Sequence, residues 1–271
     1  MPVPFLRNLT GAVRTRRANL QLGAVLAFVA GAVNAGGFLA VHQYTSHMTG
    51  IVSLIADEFI LGNMLVVFTG VCALLSFISG AATTAILINW ARHRQMSSEY
   101  AMSLALEAML LLLFGLLGAN LETYVAVILP STVMVLCFIM GLQNAIVTKL
   151  SQAQIRTTHV TGLVTDLGIE LGKLIYWNRR HRDGTSSLVR ADRDKLGIHL
   201  LILSMFFVGG VSGAFGFKHL GFIATLPLAF LLLLMAAIPM YDDIAPRLLR
   251  LRQLKELKQS FSSAADKAPE P

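Results

Sequence analysis

Two long apolar runs in this chain end in the same polar interruption, and that pairing restricts the fold more than any other feature. Gly31-Ala32-Val33-Asn34-Ala35 is followed by Ser46-His47-Met48-Thr49-Gly50, and Gly141-Leu142-Gln143-Asn144-Ala145 is followed by Thr158-His159-Val160-Thr161-Gly162. A helix of about 20 apolar residues crosses the ~30 Å hydrocarbon core of a bilayer. Interruptions at matching places in two halves of such a chain point to a site near the midplane, where broken helices meet. The pattern predicts two related halves embedded in a membrane.

Composition agrees. Hydrophobic residues are 55% of the chain and charged residues 14%, against roughly 25% charge in soluble domains. The net charge of +7 is gathered at the termini and in two connecting segments, with no basic stripe alternating with aromatics. Membrane topology therefore explains it, and nucleic-acid binding is excluded. Cys72 and Cys137 both lie in apolar runs, too few and too far apart for a disulfide framework or a zinc site. Arg7, Arg14, Arg16 and Arg17 precede the run Leu20–Val41, which is longer than the apolar core of a signal peptide and reads as a retained first helix.

The fold class expected is all-α and polytopic, with about six spanning segments by the length criterion. They fall near Leu20–Val41, Met64–Asn89, Ala101–Leu121, Tyr124–Val147, Ile198–Phe217 and Gly221–Tyr241. This divides the chain into a basic arm (1–18), a first membrane repeat (19–122), a second (123–243, with a polar linker at 178–197) and a C-terminal basic amphipathic helix with a disordered tail (244–271). Lys and Arg mark the cytoplasmic side of short loops. They populate the arm, the link around Arg92 and Arg94, the long link from Lys149 to Lys195 and the tail. By contrast, the connection from His42 to Asn63 carries Asp57 and Glu58 and no Lys or Arg. Both termini are thus expected inside a bacterial inner membrane. Three spans per half is odd, so the halves read as antiparallel, an inverted-topology repeat.

Each interruption is followed by a partly apolar stretch, Thr49–Ile60 and Thr161–Trp177. Thr49 and Thr161, or Ser46 and Thr158, are natural N-caps for a new helix there. Re-entry into the membrane and a path along its surface are both compatible with these lengths. In the second stretch Asp166, Glu170 and Lys173 share one face at pairing distance and read as a solvated salt-bridge set.

Through Ala30-Gly31-Ala32-Val33-Asn34-Ala35 with Met48-Thr49-Gly50, and Gly141-Leu142-Gln143-Asn144-Ala145 with Thr157-Thr158-His159-Val160-Thr161-Gly162, the chain resembles the YoaK family of bacterial integral membrane proteins. The likeness extends from the first span through the sixth. It implies a polytopic inner-membrane protein and names no substrate. One departure is Asn34, where the family pattern favours Asp; the charge is absent here, which puts a proton-coupling role at that position in doubt.

Asn34 and Asn144 are amides inside apolar helices, where an unpaired polar group is costly; each reads as a packing hydrogen bond or as a ligand contact near the pseudo-axis. His47 and His159 sit at the interruptions, where a histidine can donate, accept or titrate, or simply bond a nearby carbonyl. His42, His47 and His159 lack zinc spacing, so no metal site is expected. Gly50 and Gly162 allow tight backbone geometry, and exposed amides at a new helix start suit an anion. Glu107, amid Leu104, Leu106 and Leu110, is an ionisable group at membrane depth and a proton-coupling candidate, unless its helix begins late enough to leave it at the interface. Gly23, Ala27, Gly31 and Ala35, and Gly209 with Gly213, follow the four-residue spacing of closely packed membrane helices.

The reading these residues favour is a membrane transporter or facilitator of a small solute, with an anionic one preferred. It works by alternating access, with Asn34, His47, Thr49, Gly50, Asn144, His159, Thr161 and Gly162 at the substrate. The alternative is a non-transporting scaffold or regulator that docks partners through its basic segments. No Gly-x-Ser-x-Gly or His-Glu-x-x-His is present, so an enzyme is not expected. Nor is a cofactor. The expected partners are the lipid bilayer and a small-molecule or ion substrate, and oligomerisation stays open.

Overall fold

A computed structural model describes residues 15–96, 99–120, 125–150, 160–176 and 189–243, with only the helical path given for 125–127 and 150. The elements are α1 (Arg16–Val41), α2 (Met48–Leu61), α3 (Met64–His93), α4 (Ala101–Ala119), α5 (Val125–Leu150), α6 (Val160–Ile175), α7 (Arg193–Leu220), a 3-10 turn (Gly221–Ala224) and α8 (225–243). No strand occurs among the described residues. Among the described residues, five stretches are long and apolar enough to cross a membrane: Arg16–Val41, Met64–His93, Ala101–Ala119, Ile128–Lys149 and Arg193–Asp243.

The last stretch has 51 residues, roughly 77 Å as one helix and far beyond the ~30 Å core. It is broken at Gly221, whose φ of +62° is costly for any residue with a Cβ. Beyond the break the chain folds onto α4. A Cβ on Gly115 would overlap the Thr225 hydroxyl, and one on Gly118 the Phe222 ring. Phe114, Phe217 and Phe222 lock the corner, with ring centroids 5.8–6.2 Å apart. The stretch is therefore two spans, α7 and α8, which makes six.

Helix ends differ from the apolar limits where a cap decides them. The Thr15 hydroxyl accepts from the amide of Ala18 at 3.2 Å, which starts α1 at Arg16 rather than Leu20. The Asp192 carboxylate accepts from the amides of Asp194 and Lys195, both at 3.1 Å, and starts α7 at Arg193. Residues 193–197, expected in the polar linker, are thus helical, and so are 16–18 of the basic arm. Residues 1–14 of that arm, most of the linker (178–188) and the C-terminal segment from 244 lie outside the described residues.

The bundle is organised by two intimate helix pairs. A Cβ on Gly31 would overlap the carbonyl oxygen of Phe206 on α7, and one on Gly209 that of Phe28 on α1. The same exchange joins α3 to α5: Gly80 meets the carbonyl of Phe138, and Gly141 that of Phe77. All four glycines stand three residues after the phenylalanine of a Phe-x-x-Gly sequence. Such approach is available only to residues without a side chain, and it lets dispersion act between backbones where lipid removes the hydrophobic drive.

These contacts fix direction. Within a pair the helices run the same way, as Arg16 with Asp194 (3.3 Å), Gly23 with Ile202 and Gly36 with Phe217 show. Between pairs they are opposed: the Gln143 amide on α5 donates to the Leu26 carbonyl on α1 at 3.2 Å, while Gly37 meets Leu136. The end of the bundle where α1 starts is called the basic end below.

Candidate functional site

α1 closes at His42 in the left-handed conformation (φ 53°), and the chain doubles back. Phe38 stacks on Tyr44 with centroids 4.6 Å apart, and Thr45 is buried beside Gly37. The Ser46 hydroxyl then donates to Asn34 Oδ1 at 2.8 Å. α2 therefore begins level with Asn34, not with the end of α1. It runs out beside α3, Ile51 against Ala73 and Ile55 against Gly70, until the Asn63 side-chain amide donates to Glu58. Ala73 is ten residues past Asn63, so the first turn of α2 lies roughly 15 Å along α3.

α6 is placed in a comparable way at the basic end. Residues 138–147 alternate between buried and half-buried positions in the same order as 28–37. α6 begins at Val160, Leu163 packs against Ala24, Ala27 and Ile202, and the helix leaves along α7 until Glu170 meets Asp192. Ile202 is ten residues past Asp192, again roughly 15 Å along the neighbouring helix. Each short helix is held by one inward apolar residue between two spans. Ile51 packs on Ala73 and Cys137, Leu163 on Ile202 and Ala27.

Several site residues sit differently from expectation. His47, not Thr49 or Ser46, is the N-cap of α2, and it makes no side-chain cap bond; the Ser46 hydroxyl is engaged by Asn34 instead. Thr49 and Thr161 are the second residues of their helices and are exposed. Gly50 serves the His47 ring: a Cβ there would stand 3.1 Å from Nδ1. First-turn amides of α2 are thus left without a side-chain acceptor, which is what an anion seeks. Gly162 is half-buried, and His159 and Thr158 lie outside the described residues.

Asn34 and Asn144 do not meet. Gln143, next to Asn144, reaches Leu26, eight residues before Asn34 and roughly 12 Å away along α1. Asn144 Oδ1 is buried with no hydrogen-bond partner among the described residues, unlike Asn34 Oδ1. Among the described residues no three His, Cys, Asp or Glu side chains gather as a metal cage.

Glu107 is interior. α4 begins at Ala101, and both carboxyl oxygens are buried with no partner among the described residues, as is the Ser103 hydroxyl one turn earlier. Glu107 therefore faces the bundle interior.

Glu170, read from the sequence as solvated, is only 6% exposed. It accepts from Lys173 Nζ and from the amide of Asp192, both at 2.8 Å, so it fastens α6 to the head of α7. Glu58 fastens α2 to Asn63, the N-cap of α3, in the same way. Both glutamates stand eight residues beyond the motif glycine, a spacing in the sequence that identifies the pair. The Lys173 ammonium, then the Asp192 amide, hold the Glu170 carboxyl below the ordinary carboxylate range, against a smaller push from burial. A lowered folded value stabilises the protein above the unfolded pKa, about 4.3, and that contribution disappears as pH falls through the folded value. The thermal midpoint of wild type is therefore expected to exceed that of Glu170→Gln at pH 7, and the gap to close towards pH 3. A gap unchanged over that range would contradict the clasp.

Six apolar spans, two of them followed by a short helix packed between neighbouring spans, define a multi-pass, all-helical membrane protein. The chain belongs to the family described as "Protein of unknown function (DUF1275)", whose sequence model matches residues 22–238. It is similar to the "UPF0700 transmembrane protein YoaK" of Bacillus subtilis (strain 168), 27% identical over 163 residues that cover 59% of this chain and 70% of that protein. No solved structure matches.

Proposed function

We propose that the protein is a carrier for a small anionic solute, working by alternating access between two inverted halves of an inner membrane. The observation that carries the reading is the pair of short helices, α2 and α6, whose first turns lie roughly 15 Å inside the bundle from opposite ends. Helix starts at that depth present unpaired amides and the positive end of a dipole to the middle of the membrane. Arg92, Arg94, Lys149, Arg190 and Lys195 lie at the basic end, which supports a cytoplasmic assignment for it. In this scheme Asn34 with His47, Thr49 and Gly50 lines the outer approach. Asn144 with His159, Thr161 and Gly162 lines the inner one, and Glu107 is the coupling carboxylate. The matched Phe-x-x-Gly contacts cross between the halves, α1 with α7 and α3 with α5, so the units that move against each other in this scheme are these two mixed pairs.

Purified protein in proteoliposomes is expected to exchange a small carboxylate or inorganic anion saturably, drawn from a panel of both. An ion gradient should drive the exchange. Absence of flux across the panel, with protein shown to be folded and inserted in both orientations, would overturn the carrier.

A further inference from the structure

Tyr100, Ser103 and Glu107 are all buried, and spacings of three and four residues keep them on one face of α4. That helix starts at the basic end, because Arg92 at the close of α3 binds Glu99 at 2.9 Å. The Arg92 guanidinium also donates to the Tyr100 hydroxyl. A file of polar side chains therefore leads from a surface ion pair to a carboxyl six residues into α4, roughly 9 Å inside the bundle. Beyond Glu107 the same face continues as Leu111, Phe114 and Gly118, buried and apolar. The polar file opens towards one end only.

No charge compensates Glu107. Both of its oxygens, and the Ser103 hydroxyl, are buried with no hydrogen-bond partner among the described residues, and no Lys or Arg there is buried. The elements packed against α4 bring no counter-charge to this level. α5 carries Cys137, turned to Ile51 and Ala73, and Lys149 at its very end. α3 carries Cys72 in its outer half and Arg92 and His93 at its close. The 3-10 turn has no titratable side chain, and neither does α8 between 226 and 240, as it folds back from Thr225 at Gly115. A bare carboxylate in such surroundings is costly. One proton removes the charge and makes the carboxyl a donor to Ser103 Oγ, one turn away and within side-chain reach.

We propose that Glu107 is a proton-binding site, occupied in this conformation, which exchanges its proton with the basic end through Ser103 and Tyr100. Ser103 and Tyr100 are positioning residues for that transfer. Naming the proton as the ion that drives the carrier rests on the function proposed above; the site and its route are tested without transport.

Dicyclohexylcarbodiimide, an apolar reagent for neutral carboxylic acids, is the first probe, applied to the full-length protein in liposomes at pH 7.5. The carboxyl oxygen bonds to the central carbon of the reagent and the acid proton passes to a nitrogen. The acyl group then shifts from oxygen to nitrogen, leaving a stable one-to-one adduct. Peptide mass spectrometry of wild type should place that adduct on Glu107, and a water-soluble carbodiimide should leave Glu107 unmodified. No adduct at Glu107, or equal labelling by both reagents, would overturn the site. The second probe is infrared spectroscopy. The difference between wild type and Glu107→Gln should contain the carbonyl band of a neutral acid, and a carboxylate band in its place would overturn the site. On transfer to heavy water the acid band should shift as deuterium replaces the proton, about tenfold more slowly in Ser103→Ala and Tyr100→Phe, the equivalent of one hydrogen bond. Exchange as fast as wild type in both variants would overturn the route. An adduct at Glu107 without flux would remove the carrier and leave the proton site; flux without the adduct would do the reverse.

Discussion

Gly31→Ala and Gly141→Ala should each destabilise the protein sharply, although alanine is among the mildest substitutions in a membrane helix. The added Cβ would collide with the backbone carbonyl of Phe206 in one case and Phe77 in the other. A carbonyl in a helix cannot swing aside as a side chain can, so the two helices must part along their length. Overpacking of this kind costs about 1–3 kcal/mol, which corresponds to a fall of roughly 2–12 °C in thermal midpoint for a chain of this size. Gly168→Ala and Gly172→Ala, on α6 with nothing within 4 Å, are the controls. They should hold the midpoint or raise it, since alanine favours a helix by about 1 kcal/mol over glycine. The pairing itself is open to test. Gly31 and Gly209 share one interface, so their double substitution should cost less than the sum, whereas Gly31 with Gly141 should add. Midpoints unchanged in the single variants would show that the close approach is not what holds the pairs together.

The second large effect concerns Asn144. Its Oδ1 is buried without a hydrogen-bond partner among the described residues, while Asn34 Oδ1 is held by Ser46. An unsatisfied buried acceptor costs about 1–3 kcal/mol, so Asn144→Leu, close in shape, should match or exceed wild type in stability. Asn34→Leu should lose stability, because it strands the Ser46 hydroxyl. If the amide is retained for the solute, Asn144→Leu should reduce flux at least about tenfold, the equivalent of one lost hydrogen bond of ~1.4 kcal/mol. Paired thermal melts and flux measurements on the two variants separate the outcomes. An Asn144→Leu protein that is less stable, with flux undiminished, would mark the amide as a packing element.

Much of this architecture was legible in the residues because membrane spans are dictated by length and apolarity alone. All six spans, the two interruptions and the small-residue stripes on α1 and α7 follow from residue spacing; that the two stripes face each other does not. What was not legible depended on partners distant in sequence. Neither the capping of α7 by Asp192 nor the burial of Glu170 can be read from a window around Asp166 and Lys173, since the deciding amide is 22 residues away. Gly50 looked like a backbone device and proved to be room for the His47 ring. The depth of α2 was undecidable from its 14 residues; it is set by the Ser46 bond to Asn34 and by Ile51 seated on Ala73 and Cys137. The symmetry placed Asn34 and Asn144 about one axis, and the register of Gln143 on Leu26 separates them along it. The fourfold Phe-x-x-Gly was present in the sequence throughout, but single copies are unremarkable until a structure pairs them.

Thr49→Cys and Thr161→Cys, each in a chain with Cys72 and Cys137 replaced by alanine, provide the most direct measurement. Both positions are exposed in the first turns of α2 and α6. A membrane-impermeant maleimide applied to intact cells should label position 49 and spare position 161, with 161 reacting only once the cytoplasmic face is opened. Labelling of both from the same face would contradict the convergence of the two short helices from opposite sides.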